Sequence, residues 1–462
     1  MKYTPIYIKS LELNNIRRFQ KATINFVRED GTLPQWTLIL GDNGIGKTTL
    51  LQSIGWLKPN VHDAKDPDGE TIDKDKIEPA INVETNESLE QLVNNNGFFK
   101  ANLQANFIAD ISLGKTIPKK TKECFSEFII EINKKRKLED IGKGFDTNAE
   151  NIFFDREVLI IPYSASRRLG KSNIYDPDLQ DPFILFNEDD SKLFDIEEVL
   201  HTVNYASLGN DKDSGKHKDY KEVILETLKN MLPTHDNVDY IEIAVPKLVN
   251  GVLRPGNIDI VYKDRNRVSY SNVSLGYKSV LSLTVDIAWR LFTAYPESET
   301  PLDEAAIVLL DEIDLHLHPL WQREIIHKLS KSFQNVQFIA TAHSPLIVQA
   351  ALDANYEIVK EENNLVIVIS DTENIDGWRI DQILTSDFFG LRTSRGPEVE
   401  LDINERRSLL DKKRRTKEDK IRLSELDQKL SALPVLDSDN QKLLDRIQRM
   451  ANLISEKGGV ND

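Results

Sequence analysis

The sequence predicts an α/β protein built on a mainly parallel sheet. Strand-like and helix-like segments alternate from 257 to 353, a pattern typical of βαβ units. A glycine-rich loop joins an apolar run at 36–40 to a helix-forming run at 49–54. Near the N-terminus, the segments 5–13 and 22–27 have the composition and alternation of β-strands.

The remaining elements follow from the same periodicities. The stretch 103–133 favours two strands around a basic loop at 115–122, and 158–161 favours a buried strand ending in Pro162. Residues 190–232 favour helices, interrupted by a Gly/Asp/Lys loop at 209–218. The later elements are expected to be strand 257–262, helix 276–294, strand 305–310, helix 319–332, strand 336–341 and helix 346–353.

The C-terminal region is predicted to be a helical hairpin. Apolar residues recur at helical spacing in 423–433 and again in 443–454, and Pro434 lies between the two runs. The apolar stripe needs a partner surface, which its own domain, a neighbouring subunit or another protein would supply. We therefore expect a head at 1–390, containing an inserted helical lobe within 60–235, and a tail at 391–462.

Composition restricts the class of protein. The 462 residues carry a formal net charge of −16, which excludes a uniformly basic protein that coats nucleic acid. A single cysteine, Cys124, excludes an internal disulfide and a structural cysteine cluster for zinc. No run of about 18 apolar residues and no apolar signal core occurs, so we expect a soluble cytoplasmic protein without a membrane partner.

Residues 41–48, Gly-Asp-Asn-Gly-Ile-Gly-Lys-Thr, match the spacing of a phosphate-binding loop. Glycines let backbone amides curl around phosphates, and the following helix adds a favourable dipole. Lys47 is expected to pair the β- and γ-phosphates of ATP, and Thr48 to ligate Mg²⁺. The alternative is a glycine-rich turn that matches by chance. The predicted ATP-binding residues here are Asn43, Gly44, Ile45, Gly46, Lys47, Thr48 and Thr49.

Two apolar strands end in polar residues suited to nucleotide chemistry. The run 306–310 is followed by Asp311, placed to reach the Mg²⁺ shell, and by Glu312, placed to polarise an attacking water. Solvated acids at a strand end are the alternative reading. The strand at 336–341 leads to His343, which a neighbouring parallel strand would bring beside Glu312 near the γ-phosphate. Lys47, Glu312 and His343 are therefore the catalytic candidates.

The segment 273–278, Val-Ser-Leu-Gly-Tyr-Lys, opens the helix before the strand at 306–310. A serine and free amides at a helix start form an anion site, although an ordinary N-cap serine is the alternative. A pair of histidines, His316 and His318, suggests either a metal site or a structural role. The structural role is favoured, because no cysteine or third histidine lies nearby.

Together these motifs resemble ABC-type ATPases of the branch that contains RecF, the structural-maintenance proteins and the overcoming-lysogenization-defect ATPases. The resemblance implies an ABC-ATPase head with an antiparallel β subdomain, in which two subunits sandwich each ATP. It implies a signature acting in trans, although Leu275 and Tyr277 depart from the usual Leu-Ser-Gly-Gly-Gln. It implies the following further roles: Ser274, Gly276 and Lys278 in the trans signature, Asp314 in the D-loop, and Arg17 and Arg18 at the nucleotide.

The segment 161–168 lies where the glutamine loop of this branch should fall, but it contains no glutamine. Only 227 positions separate Lys47 from Ser274, too few for the long coiled coils of the structural-maintenance proteins. The stretches 309–322 and 378–391 are similar to stand-alone bacterial defence ATPases. The nearest family is PtuA of the Septu anti-phage system, and AriA of the PARIS system is a near neighbour.

Membership of this group implies a homo-oligomer that carries or restrains a separate nuclease, of HNH type for a PtuA relative and of Toprim type for an AriA relative. A RecF-like repair ATPase that binds DNA directly and a non-enzymatic, ATP-locked scaffold are the other hypotheses. Two basic clusters, 134–137 and 412–415, are candidate DNA contacts, with solvated helix faces as the alternative.

Overall fold

The computed structural model describes most of the head and the first part of the tail. The described residues are 3–58, 89–94, 96–145, 158–167, 169, 193–208, 214–233, 236–249, 251–254, 256–371, 375–391, 393–412 and 414–431. The chain forms two compact units, Met1–Phe389 and Gly390–Asp462. Within the described residues, no helix is long and apolar enough to cross a membrane.

The strands are β1 Ile6–Ile16, β2 Phe19–Asn25, β3 Trp36–Gly41, β4 Lys100–Ala109, β5 Lys122–Ile132, β6 Leu138–Phe145, β7 Ile160–Tyr163, β8 Val238–Ile243, β9 Lys247–Val249, β10 Val252–Arg254, β11 Ile258–Tyr262, β12 Arg267–Ser269, β13 Ala306–Leu310, β14 Val336–Thr341, β15 Asn355–Glu362 and β16 Leu365–Asp371. The helices are α1 Lys47–Trp56, α2 Leu89–Leu92, α3 Ile196–Ala206, α4 Ser214–Met231, α5 Leu275–Ala294, α6 Pro319–Ser332, α7 Pro345–Ala350, α8 Ile380–Thr385, α9 Pro397–Asp411 and α10 Lys417–Ser431.

The main sheet has the order β16-β15-β3-β14-β13-β7. Its five strands from β15 to β7 are parallel, and β16 pairs antiparallel with β15 at one edge. The predicted α/β fold with a mainly parallel sheet is therefore confirmed. Because β3, β14 and β13 are neighbours, the loops that follow them lie at one edge of the sheet, where ligands of open α/β sheets bind.

A second sheet, with the antiparallel order β2-β1-β4-β5-β6, covers one face of the main sheet. Alternate residues of the central strands face opposite ways. Ile39, Leu309 and Ile339 are buried with helix α1 and the antiparallel sheet. Leu38 and Phe338 are buried with the helices of the other face. The antiparallel β subdomain that the family resemblance implies is therefore present, and it encloses the phosphate loop helix.

Several local predictions need correction. The strand expected at 158–161 runs from Ile160 to Tyr163 and contains Pro162, which is tolerated because β7 is the edge strand. The basic cluster 134–137 lies in the turn between β5 and β6, not on a helix face. Its Arg136 donates a hydrogen bond to the carbonyl of Val93 at 2.7 Å. That side chain therefore holds a turn in place.

The tail unit contains a hairpin of α9 and α10. Ion pairs join the two helices at Arg406–Asp427 and Arg422–Glu405, 2.5 and 2.8 Å long. The apolar run that begins at 423 lies on α10 and buries Leu426. The helix predicted at 443–454 lies outside the described residues, so the partner of α10 seen here is α9.

Candidate functional site

The phosphate loop connects β3 to α1, as the sequence predicts. Gly44 and Gly46 have φ values of +71° and +119°, which disfavour other residues. A side chain at Gly46 would meet the Phe19 ring at 2.7 Å, and one at Gly41 would meet the Val359 carbonyl oxygen at 2.2 Å. The backbone curl that cradles a phosphate therefore depends on these glycines.

The Lys47 side chain is directed back along the loop. Its Nζ donates hydrogen bonds to the carbonyl oxygens of Gly41 and Asp42 at 2.8 and 2.9 Å. Burial lowers the pKa of the ammonium, and the nearby charges of Asp311 and Glu312 oppose that shift. A buried ammonium of this kind has anionic oxygens as its natural additional ligands.

Asp311 joins three elements of the site. Thr48 Oγ1 of α1 donates to its Oδ2 at 2.7 Å, and Thr341 Oγ1 at the end of β14 donates to its Oδ1 at 2.6 Å. A hydroxyl and a carboxylate are ligands that Mg²⁺ prefers, and adjacent ligands of that ion lie about 2.9 Å apart. The spacing of Thr48 and Asp311 therefore fits a shared Mg²⁺.

Glu312 adopts a left-handed conformation, with a φ of +49°. Its backbone N–H donates to Thr341 Oγ1 at 2.7 Å. In the described part of the chain, no hydrogen bond or ion pair holds its carboxylate, which is partly exposed. Such a carboxylate is available to accept a proton from water.

His343 follows the strand beside that of Glu312. Strands β13 and β14 are parallel, with Leu310 opposite Ala340. The backbone N–H of His343 donates to the Asp314 carboxylate at 3.1 and 3.2 Å. Asp314 and His343 are thus connected at the same edge of the sheet as Glu312.

The two arginines after β1 contact the loop and its helix. Arg18 Nη1 donates to the carbonyl oxygen of Gly44 at 2.8 Å. Arg17 has a φ of +46° and donates through Nη1 to Thr49 Oγ1 at 2.8 Å. Its guanidinium also lies 5.7 Å from the centroid of the Trp56 ring. Arg18 is therefore at the loop itself, whereas Arg17 is directed towards α1.

Ser274 occupies the N-cap position of α5, but its side chain forms no capping hydrogen bond. The residue is exposed, so the hydroxyl remains available to an external group. A side chain at Gly276 would lie 3.3 Å from the His316 carbonyl oxygen, which places the start of α5 close to the turn that contains His316. Lys278 Nζ donates to the Ser271 carbonyl at 2.6 Å. No hydrogen bond in the described chain joins this segment to residues 41–49.

The two histidines that follow Asp314 lie at a helix start and in a turn. His318 is the N-cap of α6, and its Nδ1 accepts a hydrogen bond from the Leu320 N–H at 3.4 Å. His316 lies in a turn with a φ of +63°. Among the described residues, no group of three His, Cys, Asp or Glu side chains is arranged to hold a metal ion.

Arg167 is a residue of the site that motif analysis does not identify. Its Nη1 and Nη2 donate to the carbonyl oxygens of Asp311 and Glu312, both at 2.9 Å. Burial lowers the pKa of the guanidinium, and the charges of the same two residues oppose the shift. Arg167 lies in the segment where the glutamine loop is expected. The sequence signal that could have identified it is an arginine shortly after an apolar strand.

A buried carboxylate lies in β15, the strand that pairs with β3 ahead of the phosphate loop. Glu357 of β15 is opposite Ile39 of β3 and is fully buried. Burial raises the pKa of Glu357 to about 7, although hydrogen bonds from Ser370 and Asn355 act in the other direction. The group is therefore neutral in the folded protein at mildly acidic pH.

This raised pKa predicts that Glu357 makes the head less stable at high pH. Between the unfolded pKa of 4.5 and the folded value of about 7, the unfolded chain loses the proton first. The contribution of Glu357 to the free energy of unfolding is therefore largest below the unfolded pKa of 4.5 and is lost by pH 8, a change of about 3 kcal/mol. In denaturant unfolding, the Glu357→Gln variant should have a free energy of unfolding similar to that of wild type at pH 4.5 and larger than that of wild type at pH 8. The same difference between variant and wild type at both pH values would contradict the prediction.

The fold and site define a class of protein. A strand, phosphate loop and helix are joined through Thr48 and Asp311 to a second strand that ends in two carboxylates, on a sheet covered by an antiparallel β subdomain. These features are those of an ABC-type P-loop ATPase head. The chain belongs to the family described as "AAA domain, putative AbiEii toxin, Type IV TA system", whose model matches residues 37–349.

Curated relatives support the predicted resemblance to defence ATPases, and to PtuA in particular. The "Retron Vc95 probable ATPase" of Vibrio cholerae is 26% identical over 446 residues, covering 85% of this chain and 80% of the relative. The "Retron Ec83 probable ATPase" of Escherichia coli is 40% identical over 151 residues, 31% of this chain and 28% of the relative. "Septu protein PtuA" of Bacillus mycoides is 24% identical over 407 residues, 83% of this chain and 45% of the relative.

Two solved structures that match this chain over most of its length are an SMC head domain and a RecF structure. The SMC head domain from Thermotoga maritima is 14% identical, with a TM-score of 0.39 over 79% of this chain and 99% of that chain. The recombination mediator protein RecF with ATP is 15% identical, with a TM-score of 0.37 over 80% of this chain and 98% of that chain.

Proposed function

We propose that this chain is the ATP-binding and ATP-hydrolysing subunit of an anti-phage defence complex, and that it assembles with and regulates a separate nuclease of HNH type. The observation that carries the proposal is the hydrogen bond from Thr48 to Asp311, beside the available carboxylate of Glu312. The similarity to Septu PtuA and to the retron ATPases supports the defence role.

We assign the following roles to the residues of the site. Loop amides and Lys47 bind the phosphates of ATP, and Thr48 with Asp311 would hold Mg²⁺. When bound, Mg²⁺ neutralises developing charge on the phosphates. Glu312 would accept a proton from the attacking water, and His343 would lie near the γ-phosphate. Ser274, Gly276 and Lys278 of a second copy complete the site.

Charge supports a division of labour between this chain and a nuclease. The net charge of −16 opposes extended binding to a nucleic-acid backbone, because such binding depends on cationic contacts. Arg136 of the basic turn donates hydrogen bonds to backbone carbonyls, which further reduces the cationic surface available there. We therefore assign the cleavage of nucleic acid to the partner and assembly and regulation to this chain.

The Lys47→Ala variant tests this proposal in cells and in the complex. Loss of the buried ammonium should abolish ATP binding and, with it, phage protection by the chain expressed together with an HNH nuclease, if its gene adjoins one. Lys9→Ala is the matched control, because Lys9 forms an exposed ion pair with Glu123, a type that contributes little. Plaque counts and co-purification of the nuclease are measured.

Full protection by Lys47→Ala would contradict the proposal, as would a complex that contains no nuclease. Genomic adjacency to a Toprim gene would favour the sensor-ATPase alternative. Tight, salt-sensitive binding of duplex DNA by the purified chain alone would favour the RecF-like alternative.

A further inference from the structure

Arg167 lies between the end of β7 and the end of β13. Its guanidinium donates two hydrogen bonds, each 2.9 Å long, to the carbonyl oxygens of Asp311 and Glu312. A planar fork of donors suits two adjacent acceptors, and no other side chain offers this geometry. The side chain therefore fixes two consecutive peptide groups at the point where the chain leaves the sheet.

Glu312 needs such support because its backbone is strained. A φ of +49° is uncommon outside glycine and costs of order 1 kcal/mol or more. The Glu312 N–H is held by Thr341 Oγ1 at 2.7 Å, so Arg167 and Thr341 together restrain both sides of this residue. The direction of the Glu312 carboxylate depends on that restrained backbone.

The surroundings of Arg167 connect it with two further parts of the site. It lines a cavity of about 30 Å³ with Ser279 and Val280 of α5 and with Leu315 and His316 of the D-loop region. The charges of Asp311, Glu312 and Asp314 all act on the guanidinium. Arg167 thus lies between the helix that Ser274 opens and the turn after β13 that carries Glu312.

We infer that Arg167 is a positioning residue for ATP hydrolysis: it holds the Glu312 backbone so that the carboxylate is directed at the attacking water. The inference rests on the proposed hydrolytic function of Glu312. The segment 161–168, which contains no glutamine, then affects ATP hydrolysis through Glu312 and not through contact with the nucleotide.

Steady-state ATP turnover of Arg167→Ala and Arg167→Lys tests the inference. A small displacement of a catalytic group costs about 100-fold, so we expect kcat to fall roughly 10- to 100-fold while ATP affinity changes less than about threefold. Lysine keeps the charge but cannot donate a planar fork, so Arg167→Lys should also be slow. Guanidinium at millimolar concentration should restore part of the turnover of Arg167→Ala, whereas ammonium should not.

Arg28→Ala is the matched control. Arg28 also donates to a backbone carbonyl, that of Ala354 at 3.3 Å, at the start of β15 and so at the opposite edge of the sheet. The kcat of the Arg28→Ala variant should equal that of wild type. The inference is overturned if Arg167→Ala keeps wild-type kcat, or if ATP binding and turnover fall together without rescue by guanidinium.

The two proposals fail in different ways. If ATP turnover is lost in Glu312→Gln but not in Arg167→Ala, only the positioning role is overturned. If the wild type binds ATP without hydrolysing it, or if Glu312→Gln hydrolyses ATP as fast as wild type, the hydrolytic function is overturned and this inference with it.

Discussion

Replacing Glu312 by glutamine should leave ATP binding intact and lower ATP turnover by about 10²- to 10⁴-fold, the usual contribution of a general base. The carboxylate is not engaged by any hydrogen bond or ion pair in the described chain, so its removal breaks no structural contact. Glutamine has the same shape but cannot accept the proton of water at neutral pH. The loss is therefore expected in kcat and not in the dissociation constant of ATP.

The measurement is phosphate release under saturating ATP, paired with equilibrium binding of the same nucleotide. Glu123→Gln is a suitable control, because that carboxylate pairs with Lys9 at the surface of the antiparallel sheet. It should retain wild-type turnover. Undiminished turnover in Glu312→Gln would show that another group activates the water.

Replacing Asp286 by leucine should cause a large loss of stability in the head. Asp286 is fully buried in α5 and accepts hydrogen bonds from Tyr163 Oη at 2.8 Å, Phe194 N–H at 2.8 Å and Arg290 Nε at 2.7 Å. The Arg290 guanidinium also lies 4.8 Å from the centroid of the Phe194 ring. Without the carboxylate a buried cation has no counterion, which costs about 3–5 kcal/mol.

Denaturant unfolding of Asp286→Leu and of the double variant Asp286→Leu/Arg290→Met gives a direct comparison. The double variant should be the more stable of the two, because it removes both buried charges and restores apolar packing. A single variant within about 1 kcal/mol of wild type would contradict the expected cost of the unpaired cation. Because Tyr163 ends β7, the same network holds that strand against α5.

The sequence was most informative where a local pattern determines the structure. The spacing of Gly41 to Thr48 and the apolar runs before Asp311 and His343 predict both the elements and their meeting at one sheet edge, since carboxyl ends of neighbouring parallel strands coincide. The helix starts at Leu275 and Pro319 were also predicted within one residue.

Other features depend on tertiary contacts that no short pattern encodes. Arg167 acts through the backbone carbonyls of residues more than 140 positions away. Glu357 is a charged residue type that is fully buried in β15, contrary to the usual preference. Strand β6 has an exposed, glycine-containing sequence, so it shows little of the alternation that predicts strands.

The most direct test of a phosphate-binding site at Lys47 is a calorimetric titration of wild type and Lys47→Ala with ATP in the presence of Mg²⁺. Wild type should show saturable binding, and Lys47→Ala should show none in the same concentration range while unfolding at a similar denaturant midpoint. Equal ATP affinity in the two proteins would contradict the account.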